Sequence, residues 1–152
     1  MNWKRKQMIH RRDGLRVALA LGLSFIARSV RAHKYYVPHL RISHPWCRAT
    51  PADAQSAAIC MTFDEVLRAD RLIGVETPLA AGAEMGGVGA GPVVDFPIPA
   101  GQESVLSEEG TFVRLVGLRQ ALELGRFYPL RLVFERGGPV EASVDVSYAS
   151  LG

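Results

Sequence analysis

What most constrains this chain is a succession of short segments that alternate apolar and polar residues and are cut by Gly, Pro or Asp. A period of two sends successive side chains to opposite faces of a strand, so each segment asks for a sheet with one buried face. Residues 42–49 are the first, with Trp46 as the large apolar anchor turned to the core, which points Cys47 outward. Thr50-Pro51-Ala52-Asp53 supplies turn chemistry, because Pro presets φ and the Thr and Asp side chains can bond their own backbone. Residues 57–63 return as a second strand, with Ile59, Met61 and Phe63 on one face and Ala58, Cys60 and Thr62 on the other, outward face.

Residues 70–77, 111–118, 127–135 and 140–148 repeat the pattern, the last two around a turn at Arg136-Gly137-Gly138-Pro139. Residues 82–92 hold five of the fifteen glycines and read as a loop, since glycine weakens a strand. Residues 93–98 are short and apolar before the turn Pro99-Ala100-Gly101, and 120–124 carries the one hint of a helical turn. Strands at this spacing predict an all-β sandwich or barrel with Trp46, Ile59, Met61, Phe63, Leu132, Phe134 and Val144 in or near its core.

The net charge of +3 averages two unlike parts. Residues 1–32 carry eight Lys and Arg against one Asp, a net +7, while 33–152 carry ten against fourteen acids, a net −4. The second part offers no basic surface for nucleic acid. The first has the layout of an export signal, with Lys4, Arg5, Lys6, Arg11, Arg12 and Arg16 ahead of an uncharged run at 17–27. That run is short for a membrane span and suits a signal core, with cleavage expected after Ala32; an uncleaved N-terminal membrane anchor is the alternative. Either way, residues 33–152 are expected as one periplasmic β-sandwich domain, touching a membrane only through the N-terminal segment.

The ordered set HPWCRAT, SAAICMTF, ADRLIGVETPLA, IPAG and LRLVFERGGPVEASVDV, spread over residues 39–147, resembles the periplasmic copper chaperones of the PCu(A)C family. The resemblance implies a cupredoxin-like Greek-key β-sandwich. It also implies Cu(I) as cargo and a copper-receiving partner such as cytochrome oxidase assembly components. Members hold Cu(I) through two His and two Met, the soft and borderline donors that Cu(I) prefers. The family positions read Gly86, Phe112 and Arg114 here, and 89–93 contains no Met. The copper site is therefore expected to be degenerate, with Met85 and His33 as the remaining candidate metal donors. Met61 reads as core, and His44 as structural.

Cys47 and Cys60 are the only cysteines. On neighbouring strands they are candidates for a disulfide, for independent thiols, or for a reduced dithiolate Cu(I) site. Enzyme signatures are missing from the sequence: no nucleophile elbow, HExxH, CxxC or phosphate-binding loop. Two readings follow. One is a copper-binding or copper-delivery protein; the other is a relative that kept the sandwich, lost the metal and serves as a binding or assembly module.

Overall fold

The computed structural model describes residues 34–149 and is all-β there, without a helix among them. The export segment 1–32, its cleavage point and His33 lie outside the described residues. Ten strands follow in order: β1 (Lys34–Val37), β2 (Leu40–Arg48), β3 (Ser56–Asp64), β4 (Asp70–Glu76), β5 (Ala80–Gly87), β6 (Phe96–Ile98), β7 (Ser104–Leu106), β8 (Thr111–Leu118), β9 (Phe127–Phe134) and β10 (Gly138–Tyr148).

Their order is β5-β8-β3-β2-β10-β9-β4-β6, with β1 added to β2 and β7 to β3. The two long strands join the layers. Strand β2 pairs with β1 through residues 40–43 and, further along, runs parallel to β10 through Trp46, Cys47 and Arg48. Strand β3 pairs with β7 at Met61–Phe63 and with β8 at Ser56–Ile59. Such hand-overs fold the sheet onto itself as a cupredoxin-like β-sandwich. Ile42, Ile59, Met61, Phe63, Leu115, Leu132, Phe134 and Val144 are buried between the layers. Phe63 meets Phe134 edge-on with ring centroids 6.0 Å apart.

Six of the seven expected core residues are buried; Trp46 is not. The reason is a bulge. His44 adopts φ 50°, and the β2–β3 register shifts between Ser43 and Trp46. One extra residue reverses the inside–outside phase of everything after it. Ile42, Pro45 and Cys47 therefore face in, while Trp46 turns out and packs edge-on against Tyr148 at 5.2 Å. In β9 the buried set is Tyr128, Leu130, Leu132 and Phe134, with Phe127 half exposed.

Two further expectations are corrected. The glycine-rich stretch is not a loop from its start: Ala80–Gly87 is a strand paired along β8. Residues 120–124 form no helical turn; they lie in an irregular link held by the Leu122 N–H on Thr50 Oγ1 at 2.9 Å.

Candidate functional site

Three of the four positions at which the resemblance places the copper donors come together on the β5–β8 pair. In its register Gly86 lies opposite Phe112 and Glu84 opposite Arg114. Directly opposed residues share a face, as do residues two apart, so all four side-chain positions are on one face. Here a metal cradle would need open space and electron-pair donors; Gly86, Phe112 and Arg114 supply neither, and the Glu84 carboxylate is taken by Arg114.

Phe112 occupies the space. A Cβ built on Gly86 would stand 2.3 Å from Phe112 Cε2 and 2.7 Å from Cζ, so the aromatic ring lies directly on the glycine backbone. Glycine is needed here for close approach, which explains a residue that looked like a strand breaker. Arg114 then caps the ring: its Cζ sits 5.4 Å from the Phe112 centroid, within cation–π range. Its Nη1 donates to Glu84 Oε1 at 3.2 Å. A guanidinium has no lone pair to offer and keeps its charge, and it repels a cation.

Met85 lies on the opposite face. It pairs with Val113, is 2% exposed and belongs to the core. Its thioether is not placed with Gly86, Phe112 and Arg114. The arm after β5 is pinned back as well. Met85 and Gly91 exchange both backbone hydrogen bonds, at 3.0 and 3.1 Å, and Val88 N–H donates to Gly110 O at 3.0 Å. Gly87, at φ 76°, could not carry a side chain: its Cβ would fall 2.0 Å from Gly110 O. Among the described residues no group of three or more His, Cys, Asp or Glu converges as a metal site.

The cysteines also depart from expectation. Both are free and fully buried: Cys47 faces in, while Cys60 keeps its expected face but is covered there. Cys60 stands directly opposite Trp46 across β2–β3, while the bulge sends Cys47 to the other face beside Val146. The two sulfur atoms therefore do not face one another across the strand pair. Burial pushes both thiols up to about 12; Asp145 adds to the effect at Cys47, and Glu108 and Glu109 add to it at Cys60. The thiolate is the nucleophile and the metal ligand, and near neutrality neither cysteine supplies it. We expect neither thiol to react with a maleimide in the folded protein at pH 7, and both to react in denaturant. Rapid labelling of either in the native state would contradict their burial.

Sequence reasoning missed one polar cluster. Asp70 Oδ1 accepts the backbone N–H groups of Arg71 (2.7 Å) and Arg136 (2.9 Å). Oδ2 accepts Gly137 N–H at 2.9 Å and lies 2.7 Å from His39 Nε2. The Asp70 side chain is fully buried. Burial works to raise its pKa, but the donors from Arg136, Arg71, His39 and Gly137 outweigh it and hold the group below the ordinary carboxylate range. The carboxylate thereby ties together the β1–β2 turn, the start of β4 and the β9–β10 turn. An aspartate at the head of an alternating strand looks like any surface residue in the sequence, so nothing there marks it.

Known proteins share this fold. The LpqE-like family model, which describes a lipoprotein family, matches residues 40–146. The copper-bound PCuAC domain from PmoF2 superposes with a TM-score of 0.70 at 26% identity, covering 76% of this chain and 98% of that one. The apo PCuAC domain from PmoF1 gives 0.69 at 26% identity, covering 76% and 99%. The solution structure of CuI-DR1885 from Deinococcus radiodurans shares the fold, with a TM-score of 0.61 at 23% identity and coverage of 80% and 85%. No curated protein matches by sequence. With β-sandwich, motif order and family match in agreement, the chain belongs to the LpqE-like family and is a PCuAC-type domain.

Proposed function

We infer that this chain is an exported, copper chaperone-like PCuAC-type protein whose family copper position is degenerate. One observation carries the reading: the Phe112 ring lies on Gly86, where the resemblance expects an imidazole. The Glu84–Arg114 pair beside it replaces further donors with a fixed cation. Such a protein works through its surface, as a binding or assembly module for partners of the copper-receiving class, such as cytochrome oxidase assembly components. The net −4 of residues 33–152 fits protein partners better than nucleic acid. Export to the periplasm is supported by the +7 leader and by the family's lipoprotein description.

The test is a Cu(I) titration of the full-length protein against a competing chelator. No stoichiometric site tighter than about 1 μM is expected at the β5–β8 face. His33 remains the donor for any weaker copper binding, Met85 being in the core. Tight one-to-one binding that persists in Met85→Ala, in Cys47→Ser/Cys60→Ser and in a chain without His33 would overturn the reading.

A further inference from the structure

The loop between β3 and β4 presents an apolar knob. Glu65 adopts φ 49°, a left-handed conformation that is uncommon for a residue with a Cβ. That turn buries Val66 to 5% exposure and thrusts Leu67 out to 78%. The exposure is built in, because the backbone is held on both sides. Leu67 N–H donates to His39 O at 2.8 Å, and Gly101 N–H donates to Val66 O at 2.8 Å. His39 is itself anchored on buried Asp70.

Beside the knob lies a hole. Tyr36, Val37, Pro38 and Leu40 line an open cleft of about 310 Å³ that reaches Glu65 and Leu67. A second hollow of about 400 Å³ on the other flank carries Asp64, Glu65 and Glu103. Arg41 compensates Asp64 and Glu65 at 2.6 and 2.9 Å. Glu103 and Arg68 are both exposed, and among the described residues neither has an ion-pair partner. One region thus bears a leucine, an apolar cleft, an unpaired anion and an unpaired cation.

We propose that this face docks onto a second copy of the chain across a two-fold axis. In an isologous contact residue i meets j while j meets i, so one patch must carry both halves of every interaction. This patch does: Leu67 of each copy enters the apolar cleft of the other, and Arg68 of each meets Glu103. No third group is needed to satisfy either charge. The contact is independent of the β5–β8 face and of copper.

Sedimentation velocity on the full-length chain from about 1 μM to about 1 mM tests this across weak to moderate association. A reversible monomer–dimer equilibrium is expected. Leu67→Asp should weaken it at least about tenfold, as expected for a central apolar anchor. Arg68→Glu alone should weaken it, and Arg68→Glu with Glu103→Arg should restore it. Val88→Asp, at an exposed valine on the arm beyond β5, should leave it unchanged. All these positions are on the surface, and thermal melts verify that each variant folds. The proposal is overturned by a monomer at every concentration, by a dimer indifferent to Leu67→Asp, by a double reversal no better than Arg68→Glu alone, or by dissociation in Val88→Asp.

Discussion

Replacing Asp70 by Asn should cost about 3–5 kcal/mol, among the largest losses available to a single polar substitution in this fold. The carboxylate accepts from four donors, two on each oxygen, inside a site its side chain does not share with water. An amide of the same shape keeps one accepting oxygen and turns the other end into a donor. His39 can meet that donor by changing tautomer. Gly137 N–H, the one backbone donor on the converted side, then loses its acceptor at about 1–3 kcal/mol, and the bonds that remain are no longer charge-assisted, which supplies the rest. Three chain segments lose their common tie, so hydrogen exchange at Arg136 and Gly137 should speed up more than exchange at Phe63 or Leu132. A shift in thermal midpoint of at least about 10 °C is expected for a domain of this size.

The same residue sets part of the acid response. Asp70 is held below the ordinary carboxylate range in the folded state. A lowered folded pKa contributes stability that is present above the unfolded value of about 3.9 and fades as pH falls through the folded one. Asp64, held low chiefly by its hydrogen bonds from Arg41, acts in the same direction, although it is more accessible and counts for less. Wild type should therefore lose stability steeply below about pH 4, and Asp70→Asn should lose it less steeply. Equal slopes in urea melts between pH 3 and pH 5 would remove Asp70 from this role.

Much of the fold is legible because alternation is a local signal. Thr111–Leu118 is a strand over the range its pattern predicts, and β3 buries Ile59, Met61 and Phe63 together as expected. Parity fails at His44, where the chain inserts a bulge. Pro45 cannot donate to a ladder and often accompanies such a break, but sequence alone does not say which residue absorbs it. One unread residue turned Trp46 outward and Cys47 inward and separated the two thiols. The glycine run misled for a different reason. Propensity counts glycine against a strand, yet Gly86 is required by a ring on the neighbouring strand, a contact visible only once β5 and β8 are paired. Three of the positions that the resemblance marks, Gly86, Phe112 and Arg114, fall on one face of β5–β8. What those positions now do, a ring on a glycine capped by an ion pair, became clear from the register.

That register makes the proposed loss of the copper position testable by substitution. Gly86→His places a Cβ where the Phe112 ring now lies, at 2.3 Å from Cε2, so the ring must leave the β5 backbone. Overpacking of this kind costs about 1–3 kcal/mol. Displacing the ring also breaks its contact with the Arg114 guanidinium, 5.4 Å from the centroid. Phe112→Ala alone loses ring contacts but creates no clash. In the double variant the new imidazole fills space the ring has vacated, so the two losses should not add. The double-mutant cycle is expected to show favourable coupling of about 1–2 kcal/mol, the hallmark of two residues competing for one volume. The strand pair then offers a direct route to metal binding. Gly86→His with Phe112→His sets two imidazoles opposite one another, and Arg114→Met removes the cation and adds a thioether on the same face. That triple variant should bind Cu(I) at least about a hundredfold more tightly than wild type in the same chelator competition. Strict additivity of Gly86→His and Phe112→Ala, together with unchanged Cu(I) affinity in the triple variant, would show that the ring does not fill the family's copper position.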